Sequence, residues 1–223
     1  MLTHFRDRSE AGQLLATKFT EYTARQDVLV LGLPRGGVIV AFEVAKRLRA
    51  PLDVFLVRKL GVPGHEELAM GAIATRGVCV LNDEVVQSLL IPSDVVDEVA
   101  KKERHELERR EWLYRGGRPA PGMHGRTAML VDDGLATGAT MLAAVVALRE
   151  LHPARIVVAV PVAAPQVCQQ LGAEVDQIVC LLTPEPFYGV GYWYEDFSQT
   201  TDDEVHDLLE QAAHEQAATS PTQ

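Results

Sequence analysis

The sequence is short of positive charge. Its 223 residues include 21 Lys and Arg against 31 Asp and Glu, a formal net charge of −10. Sequence-independent binding to DNA or RNA draws on a basic surface, so nucleic acid is excluded as a partner class. An anionic ligand has to be held by a local site and not by the overall field. Long apolar runs are also missing: none approaches the roughly 18 residues of a membrane-spanning helix. The opening "MLTHFRDRSE" lacks the apolar centre of a signal peptide, and a soluble, cytoplasmic protein without a membrane partner is expected. Cysteine is sparse. Cys79, Cys168 and Cys180 form no CxxC pair and read as buried or idle thiols in a reducing compartment. The seven histidines show no HExxH spacing, and the nucleotide loop GxxxxGK[ST] and the dinucleotide fingerprint GxGxxG are both absent.

What is present is an ordinary globular composition, 47% hydrophobic and 23% charged, at a length that suits one domain with a full core. "DVLVLGLP" (27–34) reads as a buried strand, "GVIVAFEVAKRLRA" (37–50) as a helix and "PLDVFLVRKL" (51–60) as the next strand, the order of a parallel crossover unit. Residues 69–82 read as two short strands turning at Arg76 and Gly77. Residues 93–115 form a long helix capped by Ser93 and laced with the pairs Glu98–Lys102, Glu106–Arg110 and Glu111–Arg115, a solvated face first and a partner surface second. Further strands are expected at 127–132, 155–165 and 176–182, a helix at 139–151, and a short helix from Pro165. Thr201 and Glu204 form a capping box that opens a last helix, and 216–223 reads as a loose tail. Strands alternating with helices predict an α/β fold, an open and mostly parallel twisted sheet flanked by helices, whose ligands sit beyond the carboxyl ends of the strands.

Two loops at those ends are unusual. In "AMLVDDGLATGAT" (128–140) an apolar strand runs into Asp132 and Asp133 and then into a loop almost without side chains. Backbone N–H groups at a helix start, joined by the hydroxyls of Thr137 and Thr140, make a cradle for phosphate, and Gly134 and Gly138 permit the turn and a close approach. Carboxylates beside a phosphate suit neighbouring hydroxyls, as on the ribose of a ribose 5-phosphate. Taken alone, the stretch also fits a plain strand–turn–helix joint. "LPRGG" (33–37) offers the N–H groups of Gly36 and Gly37 and the fixed charge of Arg35, or else a simple turn at a sheet end.

Four apolar residues, two acids and a Gly/Thr loop resemble the phosphoribosyl pyrophosphate (PRPP) signature of the type I phosphoribosyltransferases. "GLPRGGV", "RKLGVPGHEELAMGAIA" and "FYGVGYWYEDFSQTTDDEV" are similar to a bacterial branch of predicted phosphoribosyltransferases. The resemblance covers roughly 27–182. It implies a single domain over 1–215 with that core, a helical insertion near 83–126, and a hood from 1–26 and 183–215. It gives Asp132 and Asp133 to the ribose hydroxyls. Gly134, Ala136, Thr137, Gly138, Ala139 and Thr140 go to the 5-phosphate. Pro34, Arg35, Gly36 and Gly37 go to pyrophosphate, with a cis peptide between Pro34 and Arg35. Lys59, and after it Arg58, are the basic residues that the family often places against pyrophosphate.

The implied reaction moves phosphoribosyl from PRPP to a nitrogen acceptor, a nucleobase or related heterocycle, and releases pyrophosphate. Mg2+ is the implied cofactor, held by PRPP and water with Asp132 and Asp133 nearby. "GVPGHEEL" (61–68) is the candidate mobile cover, and equally a solvated acidic turn; Glu66 and Glu67 are its candidate general bases. Phe187, Tyr188, Tyr192 and Trp193, with Tyr194 and Phe197, either stack on the acceptor or pack the last helix to the core. Hypoxanthine and guanine enzymes of the family carry an acid three residues after the second acid, where this chain has Ala136. The competing functions are a PRPP-binding regulator without turnover and a sugar-phosphate hydrolase. A homodimer is the candidate assembly.

Overall fold

A computed structural model describes residues 4–219. Five parallel strands form the central sheet: β1 (Val28–Gly32), β2 (Leu52–Val54), β6 (Thr127–Val131), β7 (Arg155–Val162) and β8 (Gln177–Leu182), in the order β2-β1-β6-β7-β8. Successive side chains on a strand face opposite ways. Val28, Val30, Met129, Val131, Val157 and Ala159 accordingly pack with α1 (Arg8–Ala16) and α2 (Gly36–Leu48). Leu29, Leu31, Ala128, Leu130 and Val158 pack on the other face with α5 (Ala139–Arg149) and α6 (Pro165–Gly172). Every position of β1 and β6 is buried, and burial on both faces explains why all but Thr127 are apolar or glycine.

The stretch 51–60 is not one strand. It leaves the central sheet after Val54, crosses at Phe55 and Leu56, and starts a second, antiparallel sheet made of β3 (Val57–Val62), β4 (His65–Ala74) and β5 (Val78–Leu81). The crossing is pinned at Thr75, whose hydroxyl accepts from the Leu56 N–H at 2.9 Å. An unbroken apolar run does not show where a chain changes sheets. Residues 61–68 are likewise a hairpin and not a hinged loop: β3 and β4 pair through Val62 and His65 across a two-residue turn in which Gly64 has φ +80°.

Helix α3 (Asp83–Ser88) leads to α4 (Ser93–Arg115). Pro92, and not Ser93, holds the cap position of α4, without a side-chain hydrogen bond. The pairs Glu106–Arg110 and Glu111–Arg115 form, at 2.7 and 2.9 Å. The helix is more than a solvated face. Val96, Ala100, Leu107 and Tyr114 are buried against β3, β4 and α7 (Asp202–Thr219). At its end Arg115 is buried, bonds both carboxylate oxygens of buried Asp53 at 3.0 Å and donates to the Val54 carbonyl. The capping box of α7 forms as expected, with Thr201 N–H donating to Glu204 Oε2 at 2.7 Å and Glu204 N–H to Thr201 Oγ1 at 3.1 Å. The helix carries on through 216–219, which the sequence suggested would be loose; 220–223 lie outside the described residues.

The cysteines also differ from expectation. Cys168 on α6 and Cys180 on β8 form a disulfide, while Cys79 is free and exposed. The pair is 12 residues apart and matches no spacing motif; packing of α6 on β8 brings it together.

Removing one partner of a buried ion pair leaves an uncompensated charge. Arg115→Leu is therefore expected to cost about 3–5 kcal/mol in urea unfolding, and the double change Arg115→Leu with Asp53→Leu to recover most of it.

Candidate active site

Strand order reverses between β1 and β6. The helix after β1 packs on one face of the sheet and the helix after β6 on the other. A crevice opens at the carboxyl ends of two strands so arranged. Both unusual loops are there, and they are nearly in contact. A Cβ on Gly36 would sit 2.0 Å from Asp133 Oδ2, and one on Gly37 would sit 2.7 Å from Asp132 Oδ1. Only glycine lets the 33–37 backbone lie against the two acids. The Pro34–Arg35 peptide is cis, as the resemblance implied.

Neither acid sits in open water. Asp132 Oδ1 accepts the Asp133 N–H at 2.8 Å. Burial, and then the charge of Asp133, push the Asp132 carboxyl well above the usual carboxylate range. Burial pushes Asp133 up as well, and Arg8 draws it back. Arg8 Nε donates to Asp133 Oδ2 at 2.7 Å, and both side chains are largely buried. The Tyr194 hydroxyl, kept protonated by burial, donates to the Asp133 carbonyl at 2.6 Å. Arg8 is the residue that sequence reasoning missed. It lies in the N-terminal segment expected to form part of the hood, but one arginine among charged neighbours carried no signal of its own.

The loop 134–140 is tied down at one point, where Leu135 bridges to Ala163, and Ala136, Thr137, Ala139 and Thr140 are exposed. Gly138 caps α5 with φ +71° and has no side chain to offer; the Thr137 hydroxyl accepts the Ala139 N–H at 3.4 Å at the start of the helix. Gly134 has no room for a side chain, since its Cβ would meet Val190 at 2.5 Å.

The basic residues divide. Arg35 heads α2, with its Nη1 3.9 Å from Asp202 Oδ1, which also accepts from the Tyr114 hydroxyl at 2.6 Å. Arg58 pairs with Glu103 of α4 and, with Leu33, Pro34 and Thr140, lines a cavity of about 40 Å3. Lys59 is exposed on β3. Glu66 is exposed at the start of β4, its carboxylate accepting from the Gly64 N–H at 3.3 Å; the side chain of Glu67 lies outside what is described.

The chain ends meet. Phe5 pairs with Tyr194, with Phe5 N–H donating to the Trp193 carbonyl and Glu195 N–H to the Phe5 carbonyl, each at 2.8 Å. The aromatic group splits around this pairing. Phe187 packs into the core, and Tyr188, Tyr192 and Trp193 cluster with His4, the two tyrosines largely exposed. Tyr194 and Phe197 are the rings that reach the acids; the Arg8 guanidinium lies 3.9 Å from the Phe197 ring centre.

Comparison with known proteins places the chain in a family. Residues 8–176 match the family model of the phosphoribosyl transferase domain. The chain belongs to that family. A protein of Mycobacterium tuberculosis strains H37Rv and CDC 1551, called "Putative phosphoribosyl transferase", is 48% identical over 208 residues, 93% of this chain and 47% of the relative. The chain thus spans about half the length of the curated relatives it matches. The crystal structure of TT1426 from Thermus thermophilus is 43% identical and superposes with a TM-score of 0.84, covering 93% of this chain and 98% of that one. Among the described residues of this phosphoribosyl transferase domain, no helix is long and apolar enough to cross a membrane, and no three His, Cys, Asp or Glu side chains gather as a metal cage.

Two acids raised by burial make the crevice costly to fold. A carboxyl raised in the fold keeps its full stability contribution below its unfolded value and loses it as pH rises through the folded one. Asp132→Asn keeps an oxygen for the Asp133 N–H and removes the charge. The variant is expected to melt higher than its parent near about pH 8, by on the order of 1 kcal/mol, with the gain vanishing toward about pH 4. Melting curves across that range check the sign.

Proposed function

We propose that this domain transfers phosphoribosyl from PRPP to a nitrogen acceptor and releases pyrophosphate. The observation that carries the reading is the meeting of the two loops: a pair of half-buried acids against the glycines of 33–37, flanked by the helix start at 138–140. A ribose 5-phosphate bearing pyrophosphate has its groups in that order. Asp132 and Asp133 take the ribose hydroxyls. The N–H groups and hydroxyls of 134–140 take the 5-phosphate. Pro34, Arg35, Gly36 and Gly37 face the pyrophosphate, aided by Arg58 or Lys59.

In the reaction the nitrogen lone pair forms a bond to C1 of the ribose. The C1–O bond breaks and its electron pair leaves with pyrophosphate, and the nitrogen sheds its proton. Positive charge builds on the sugar and negative charge on the leaving group. The protein therefore contributes placement and charge stabilisation, with the acids beside the sugar and Arg35 beside the leaving group. Paired carboxylates are hard donors that suit Mg2+ held through PRPP and water, and that ion supplies neutralisation of the phosphates when bound. Glu66 and Glu67, near the tip of the hairpin over α5, are the candidates for accepting the proton. The exposed rings Tyr188 and Tyr192, with Trp193, are the candidates for the hood over the acceptor, and Phe187, packed on the core, anchors that segment.

Titration calorimetry with PRPP and Mg2+ tests the sugar site. Asp133→Asn is expected to weaken binding at least tenfold, whereas Asp97→Asn on α4 leaves it unchanged; equal effects sink the assignment. Steady-state turnover tests the acceptor class. Ala136 neither donates nor accepts a proton, so hypoxanthine and guanine are expected to turn over at least a hundredfold more slowly than the best acceptor found. Tight PRPP binding without turnover on any acceptor favours the regulator instead.

A further inference from the structure

Beside Asp133, on the hood side of the crevice, lies an open cavity of about 370 Å3 lined by Arg8, Arg35, Gly36, Asp133, Phe197, Gln199 and Thr200. We infer that this cavity is the acceptor pocket and that it takes a planar acceptor carrying a carboxylate, an inference that rests on the transferase reading. Three observations carry it.

The first is position. C1 of a PRPP ribose lies between the carbon bearing the 2-hydroxyl and the pyrophosphate it carries. The cavity touches one residue assigned to each, Asp133 for the hydroxyls and Gly36 for the pyrophosphate. A nitrogen seated there is beside the carbon it must attack.

The second is an excess of donors. The Thr200 hydroxyl is buried with no hydrogen-bond partner. Arg8 is held in place by two bonds, Nε to Asp133 and Nη1 to the Ser198 carbonyl at 2.8 Å, and its Nη2 has no partner among the described residues. Gln199 adds an amide, while Arg35 at the far wall belongs to the pyrophosphate in the transferase reading. The one carboxylate on the wall, Asp133, is already met by Arg8. A ligand that satisfies these groups has to bring acceptors, and a carboxylate brings two in the plane that a guanidinium fork matches.

The third is shape. The Phe197 ring is 36% exposed at the same wall and supported by Arg8 and by Tyr194, whose ring centre is 5.0 Å away. A flat aromatic ligand gains area there that a flexible one does not.

The test uses the whole chain with PRPP and Mg2+ and three matched pairs of probes: pyridine-3-carboxylate against its carboxamide, uracil-6-carboxylate against uracil, and 2-aminobenzoate against aniline. At least one carboxylate is expected to bind tenfold or more tighter than its neutral twin by calorimetry. Thr200→Val and Phe197→Leu, each checked for a parent-like melting curve, are expected to cut that preference at least fivefold; two variants are used so that one failing to fold does not decide the matter. Arg8 is left intact because it also holds Asp133. Neutral twins binding as well as the acids, no carboxylate binding at all, or a preference unchanged in a folded variant overturns the inference. Failure of PRPP itself to bind overturns the transferase reading. A carboxylate preference that persists without PRPP and is lost in the two variants leaves the pocket's chemistry standing alone.

Discussion

Two carboxylates held side by side under a glycine backbone are the constraint on which the rest of the site depends. Partial burial pushes both carboxyls above the usual carboxylate range, and the charge of Asp133 pushes Asp132 further, while Arg8 draws Asp133 back. The sheet enforces this placement. β1 and β6 are central, parallel and apolar on both faces, so the loops that leave their ends have fixed starting points and little freedom to spread. Gly36 and Gly37 then let one loop close over the other.

The elements outside the central sheet brace this arrangement from two sides. From one side the chain ends join at Phe5 and Tyr194 and deliver Arg8 to one acid and the Tyr194 hydroxyl to the adjoining backbone. From the other, α4 and α7 meet where Tyr114 bonds Asp202, the residue nearest the charge of Arg35. The Arg115–Asp53 pair locks the end of α4 to the edge strand of the sheet. The long charged helix is therefore part of the support of the 33–37 loop, and its surface charges distract from that role.

How much was legible depended on how local the information was. The acid-and-glycine loop at 132–140, the glycine loop at 33–37, the capping box at Thr201 and the run of buried strands each announce themselves within about ten residues. Arg8 did not, because its meaning comes from an acid 125 positions away. Nor did the sheet change at Phe55, where apolar burial continues on both sides of the crossing. The aromatic cluster was visible as a group but not as two groups; only packing sets Tyr194 and Phe197 beside Arg8 and apart from the rings around His4.

The sequence by itself determined the fold class, the family and the two loops, since hydrophobic period, glycine placement and paired acids are short-range patterns. Tertiary structure alone decided that both loops share one crevice, that Arg8 sits on Asp133, that Cys168 meets Cys180, and that the hairpin 57–74 stands apart from the central sheet. Each of these is a contact between segments distant along the chain. Its energy is gained only once the sheet has fixed where both segments start.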